Sequence, residues 1–239
     1  MRCVPVIDLF GGSVVHAVKG ERDRYQPLVT PFAVRATACD VLAGLRNFYP
    51  FRSCYIADLA AIRQCGDHDH EIATLVTQHP DLEFWVDAGF GLRTVMPFYA
   101  GARNVRLIIG SESLPDLPAW HAVRARCTGQ WQPLLSLDHY RGHVLGPALL
   151  AQMPALWPAA VVAMNLDHVG SGRGPDLELI DRLAAQSPAT QLIAAGGVRD
   201  YRDLERLQAR GVSAVLLATA LHAGAVARAD LARIEYPPS

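Results

Sequence analysis

Two segments of this chain, half a chain apart, follow one pattern: Val4 to His16 and Leu134 to Leu145. Each is a short apolar run that ends in an aspartate, Asp8 or Asp138, followed by a polar turn with glycine at the same distance and a return to hydrophobic residues. A chain that repeats a unit in both halves is constrained to fold as two related halves, with matched residues in matched places.

The rest of the sequence says what that unit belongs to. Short apolar or β-branched runs recur near Cys3 to Asp8, Ser53 to Asp58, Glu83 to Asp87, Val105 to Ile109, Pro133 to Asp138, Ala160 to Asn165, Gln191 to Ala195 and Ala214 to Ala218. Between them lie segments of helical spacing, such as Asp176 to Leu183 and Tyr201 to Leu207, with leucines three and four residues apart. Runs apolar on both faces, such as Leu192 to Ala195, suit parallel strands covered by helices better than half-exposed antiparallel ones. Eight strand–helix units with no linker between them predict a single α/β domain over residues 1–239, a (β/α)₈ TIM barrel. Its half-barrels are expected at about 1–128 and 129–239. An open doubly wound sheet is the alternative. A second internal match, Asp87 to Arg93 against Ala194 to Asp200, favours closure.

At 239 residues and 51% hydrophobic, the chain can bury one large core. Its formal charge of −1 and scattered basic residues exclude the concentrated positive field that binds nucleic acid. No apolar run reaches the roughly 18 residues needed to span a bilayer, and Met1 to Pro5 enters a strand at once, so a cytoplasmic protein without a signal peptide is expected. Five cysteines without CxxC spacing read as reduced and mostly structural. Lys19 is the only lysine, which leaves it alone as a source of Schiff-base chemistry.

In an eight-stranded barrel the first and fifth strands are opposed, so Asp8 and Asp138 would face one another across the mouth, one to protonate and one to deprotonate a ligand between them. Each aspartate read alone could instead cap its turn. Gly196, Gly197 and Thr219, after the seventh and eighth strands, stand where barrels commonly bind phosphate on bare backbone N–H groups. Gly89, Gly91, Gly110 and Ser111 are the symmetry-related second anion site, so the expected partner is a small molecule phosphorylated at both ends. Tight turns are the competing reading of these glycines. Gly170 to Asp176, with Arg173, reads as a mobile loop that closes over the ligand, or as a flexible connector. The cluster Cys65 to Glu71 has the composition of a metal site, but its acids precede a helical run and suit a helix start better.

The Asp-Leu-x-x-Gly-x-Val-Val stretch at Asp8 to Val15, Gly-Phe-Gly-Leu-Arg at Gly89 to Arg93, Ser-Leu-Asp at Ser136 to Asp138 and Ala-Gly-Gly-Val at Ala195 to Val198 occur in the order of the histidine-biosynthesis barrel family. The chain resembles that family, of HisA and HisF type, from the first strand to the eighth, and is nearest in kind to its HisA-type phosphoribosyl isomerases. The resemblance implies an Amadori-type aldose–ketose isomerisation of an aminated sugar phosphate, with Asp8 as general base and Asp138 as general acid. It implies no metal or organic cofactor. It places His16, Lys19, Asp58, Arg93 and Asn165 beside the glycines as candidate substrate contacts.

There are departures from the family pattern. His16 stands for the usual Arg or Lys, Ala60 for a second acid after Asp58, Val169 for the aspartate of an Asp-Gly-Thr motif, and Ala218 for a phosphate-loop glycine. These changes spare the two acids and alter the walls, as in a divergent paralogue. The stretch Lys19 to Tyr25 and the Val169 to Gly172 loop resemble HisA-like proteins associated with one-carbon cofactor biosynthesis, so an enzyme acting on a phosphorylated methanopterin or methanofuran intermediate is a second reading. A barrel that binds a phosphometabolite or a partner protein without turning anything over is a third.

Overall fold

The computed structural model describes residues 1–18, 25–127 and 132–237. Eight parallel strands close into a barrel: β1 (Arg2–Phe10), β4 (Ser53–Asp58), β5 (Glu83–Asp87), β6 (Val105–Gly110), β7 (Leu134–Tyr140), β9 (Ala160–Asn165), β10 (Gln191–Ala195) and β11 (Ala214–Leu217). Closure is made by β1 beside β11, with Arg2 opposite Ala214 and Pro5 opposite Leu217. The longer helices wrap the outside: α1 (Ala38–Phe48), α3 (Asp69–Gln78), α4 (Leu117–Arg126), α6 (Leu177–Gln186), α7 (Tyr201–Gln208) and α9 (Arg228–Glu235). Short helices α2 (Leu59–Ile62), α5 (Ala148–Gln152) and α8 (Thr219–His222) lie in the connections. The fold is a (β/α)₈ TIM barrel, and the open-sheet alternative falls with the β1–β11 pairing.

The strands are buried on both faces, so alternate residues enter two different cores. Cys54, Ile56, Leu192 and Ala194 point outward and pack with the helices. Tyr55, Ala57, Ile193 and Ala195 point inward and fill the lumen with Val4, Trp85, Ile108 and Leu134. This period of two decides which strand-end residues can reach a ligand.

The repeated segments are repeated structures. Neither strand stops at its aspartate. β1 continues to Phe10 and turns through Gly11 and Gly12, at φ +57° and +76°, into the antiparallel β2 (Ser13–His16). β7 continues to Tyr140 and turns through Arg141 and Gly142, at φ +50° and +76°, into β8 (His143–Val144). Two successive positive φ values are what a two-residue hairpin of this twist requires, and Arg141 adopts one without being glycine. A two-residue strand β3 (Gln26–Pro27) extends the first hairpin.

Candidate active site

Counting in twos along each strand places Val4, Val6 and Asp8 of β1 on the inner face, as it does Leu134, Ser136 and Asp138 of β7 and Trp85 and Asp87 of β5. Asp8, Asp87 and Asp138 all line one cavity of about 200 Å³ at the carboxyl ends of the strands. Glu112, just after β6, joins them. Opposite, after β9, β10 and β11, the cavity is lined by Gly170, Gly172, Gly196, Gly197, Arg199, Ala218 and Thr219. Tyr55, Leu59, Met164 and Val169 contribute apolar wall.

The two opposed aspartates live in different surroundings. Asp138 is nearly fully buried and its carboxylate accepts from Ser136 Oγ at 2.6 Å, from the Glu112 backbone N–H at 3.1 Å and from Ser111 Oγ at 3.4 Å. Its own backbone N–H donates to Ser111 Oγ at 2.9 Å. Burial pushes Asp138 up to about 7; the negative charge of Glu112 adds to this, and the three hydrogen bonds oppose it. Asp8 is held by no hydrogen bond from a described residue, and burial alone pushes it up to about 7. The Tyr55 phenol is held well above its ordinary value by burial, then by the charges of Asp87, Asp138 and Asp8, so it stays a neutral hydroxyl.

Gly110 explains how two carboxylates fit side by side. A Cβ there would stand 3.1 Å from Asp138 Oδ2 and 3.2 Å from Asp87 Oδ2. Gly197, at φ +86°, has the Gly174 carbonyl oxygen 2.1 Å from where its Cβ would be, so only glycine permits this approach of the two loops.

The remaining candidates divide by where the structure puts them. Gly170, Gly196, Gly197 and Thr219 line the cavity, and His16 Nε2 lies 3.1 Å from Thr219 Oγ1. Gly89, Gly91, Gly110, Ser111 and Arg93 do not line it. Ser111 is fully buried, with Oγ turned to Asp138; Gly91 is packed so closely that a Cβ would lie 2.3 Å from the Ser113 carbonyl oxygen. Arg93 is gripped at 2.9 Å through both nitrogens by Asp69 of α3.

Asp58 and Asn165 have the outward parity of their strands. Fully buried Asp58 caps α2 through Ala61 N–H at 3.1 Å and holds His68, accepting from its backbone N–H at 2.7 Å and from Nδ1 at 2.9 Å. His68 Nε2 in turn accepts from Gly12 N–H. Asn165 donates to Asp176 at 2.7 Å. Arg173 is exposed, and Lys19 lies outside the described residues. In the Cys65 to Glu71 cluster, Asp69 is spent on Arg93 and His68 on Asp58.

Asp87, Glu112, Tyr55 and Arg199 were not among the residues singled out as candidates. For Asp87 and Tyr55 the signal was present: each lies on the inner parity of its strand. Arg199 faces the cavity while paired with Asp203 through two bonds of 2.8 Å. Among the described residues, no helix is long and apolar enough to cross a membrane.

The chain is similar along nearly its whole length to known proteins. A protein of Methanocaldococcus jannaschii named only as uncharacterized is 27% identical over 225 residues, covering 94% of each chain. The 1-(5-phosphoribosyl)-5-((5-phosphoribosylamino)methylideneamino) imidazole-4-carboxamide isomerase of Lacticaseibacillus casei is 26% identical over 248 residues, covering 98% of this chain and all of its own. Its counterpart from Lactiplantibacillus plantarum is 27% identical over 243 residues, covering 96% and 98%. The model of the family described as "Histidine biosynthesis protein" matches residues 2–227, and the chain belongs to that family.

Proposed function

We propose that this barrel is an isomerase that converts an aminated aldose phosphate into the corresponding ketose by paired-aspartate catalysis. The observation that carries it is the pair of inward carboxyls, Asp8 and Asp138, both raised to about 7 and facing one cavity. A group that titrates near the working pH is effective both as acid and as base. Asp138, ordered by Ser136, Ser111 and the Glu112 N–H, delivers its proton to the ring oxygen of the sugar, opening the ring as the C1–nitrogen bond becomes an imine. Asp8, free to move a proton, takes one from C2. The resulting enaminol collapses to the ketone as Asp8 returns its proton to C1 and the C2 hydroxyl gives its own back to Asp138, which restores both acids. Phosphate is held by the backbone around Gly196 and Gly197 and by Thr219, with His16 behind it.

A second reading keeps the chemistry and changes the substrate to a phosphorylated intermediate of one-carbon carrier biosynthesis. The altered walls favour it: Val169 lines the cavity and accepts no hydrogen bond through its side chain. The deciding experiment is steady-state kinetics of the wild type, Asp8→Asn and Asp138→Asn on the histidine-pathway ribotide and on phosphorylated one-carbon precursors. Each variant is expected to fold and to lose about 10²-fold or more in turnover. Near-normal turnover in either rejects the acid–base assignment and leaves a binding barrel. A wild-type kcat/KM of about 10⁴ M⁻¹s⁻¹ or more on the ribotide would identify a plain histidine-pathway isomerase.

A further inference from the structure

Tyr55 carries a buried hydroxyl that the fold leaves without a good acceptor. It stands on the inner face of β4, is only 4% exposed and lines the cavity. Among the described residues its one hydrogen bond runs to Asp87 Oδ2 at 3.5 Å, beyond the roughly 2.5 to 3.0 Å of a sound O–H···O bond. Phenylalanine would fill the same place in the lumen without desolvating a hydroxyl. A buried donor left so poorly paired destabilises the fold, and a residue that only fills space needs no such group.

Strand register places that hydroxyl among the reacting groups. Tyr55 lies level with Val6 of the neighbouring β1, one inward step below Asp8, and level with Trp85 of β5, one inward step below Asp87. Its ring rises along the lumen, because its tip comes within 3.5 Å of the Asp87 carboxylate. Burial, and then the charges of Asp87, Asp138 and Asp8, keep the phenol protonated, so it can donate a hydrogen bond and cannot serve as a base. On its other side β1 pairs with β11, the strand that leads into Thr219. Thr219, Asp8 and Tyr55 therefore stand on or just after three consecutive strands, along the path that a pentose held by its 5-phosphate would follow toward C2.

We propose that the Tyr55 hydroxyl donates to the oxygen on C2 of the sugar and holds it while Asp8 works on the carbon that bears it. Tyr55 keeps its own proton throughout. Its hydrogen bond strengthens as the C2 hydroxyl proton leaves for Asp138 and negative charge develops on that oxygen. The same bond makes Tyr55 a selector of sugars that carry a 2-hydroxyl, since an analogue without it leaves the phenol unpaired again. The proposal rests on the cavity being the sugar-phosphate site, as the isomerase reading holds, and its recognition half does not depend on turnover.

Ribose 5-phosphate and 2-deoxyribose 5-phosphate differ by this one oxygen, and calorimetric titration of both into the wild type and Tyr55→Phe tests the proposal. The wild type is expected to bind the ribose about fivefold or more tighter. In Tyr55→Phe that preference should fall to less than about twofold, through weaker binding of the ribose alone. On a sugar phosphate that the wild type isomerises, the same variant should lose about tenfold or more in kcat with a smaller change in KM. Removal of a poorly paired hydroxyl should leave the thermal midpoint at or above that of the wild type. Should Tyr55→Phe not fold, Tyr55→Met, which fills the lumen flexibly without a hydroxyl, is read in the same way. Equal affinity of the wild type for the two sugars, no measurable binding of either, a preference that survives loss of the hydroxyl, or an unchanged kcat would overturn the proposal. A ribose preference that Tyr55→Phe abolishes, without turnover on any sugar phosphate, would leave the recognition standing while the isomerase reading fell.

Discussion

At the scale of single residues, burial sets the chemistry and also charges the fold for it. Asp8 sits on an inner position that the barrel would otherwise fill with an aliphatic side chain, and its ionised form is desolvated without a hydrogen-bonding donor among the described residues. A carboxyl moved from 3.8 to about 7 by burial destabilises the ionised native state by up to about 4 kcal/mol. The folded chain holds this proton more tightly than the unfolded chain, so its contribution is favourable below about pH 4. It is lost as the pH rises from about 4 to 7, and is constant above that. Asp8→Asn is therefore expected to raise stability by about 1 to 4 kcal/mol at pH 8 and to change it little at pH 4. Urea unfolding at the two pH values checks this, and an equal or lower midpoint at pH 8 would contradict the desolvation of the half-buried Asp8.

Asp58 behaves in the opposite way at the scale of elements. It ends β4, caps α2 and holds the His68 ring, which reaches the β1–β2 turn through Gly12. One carboxylate thus ties the second strand, the start of α3 and the first hairpin together. Asp58→Ala strands three donors in a site with no exposure, and is expected to cost about 3 to 5 kcal/mol. A shift in thermal midpoint smaller than that of an ordinary surface substitution would show that these bonds are replaced by water. The two hairpins are the other lesson at this scale. Because β1 and β7 run past their acids, Asp8 and Asp138 are held mid-strand in a hydrogen-bonded ladder, which fixes them more rigidly than loop residues.

For the whole molecule, barrel closure is what turns scattered acids into one site. Pairing of β1 with β11 brings the start of the chain to its last strand, so Asp8, Thr219 and Asp138 come to surround one cavity although 130 residues separate the two aspartates. With one acid required ionised and the other protonated, both near 7, kcat/KM should trace a narrow bell with its maximum near pH 7, whose limbs belong to the pair. Glu112 raises Asp138 by its charge, so Glu112→Gln should move the alkaline limb to lower pH. An unmoved limb would separate Glu112 from the acid it touches through its backbone.

The sequence by itself determined the eight barrel strands, their alternation with helices and the repeated unit, and it favoured closure with Asp8 and Asp138 opposed, because period-two burial and strand–helix alternation are local properties written residue by residue; the hairpin strands β2, β3 and β8 it left uncounted. It also held, unread, the inner parity of Asp87 and Tyr55 and the outer parity of Asp58 and Asn165. Only the tertiary structure decided what the loops do. Ser111 is turned from an expected anion contact into a prop for Asp138, Arg93 is taken by Asp69, and Gly91 serves packing. Glycine in a loop looks the same in sequence whether its bare backbone faces an anion or another loop; the difference lies in which distant segment comes within van der Waals reach.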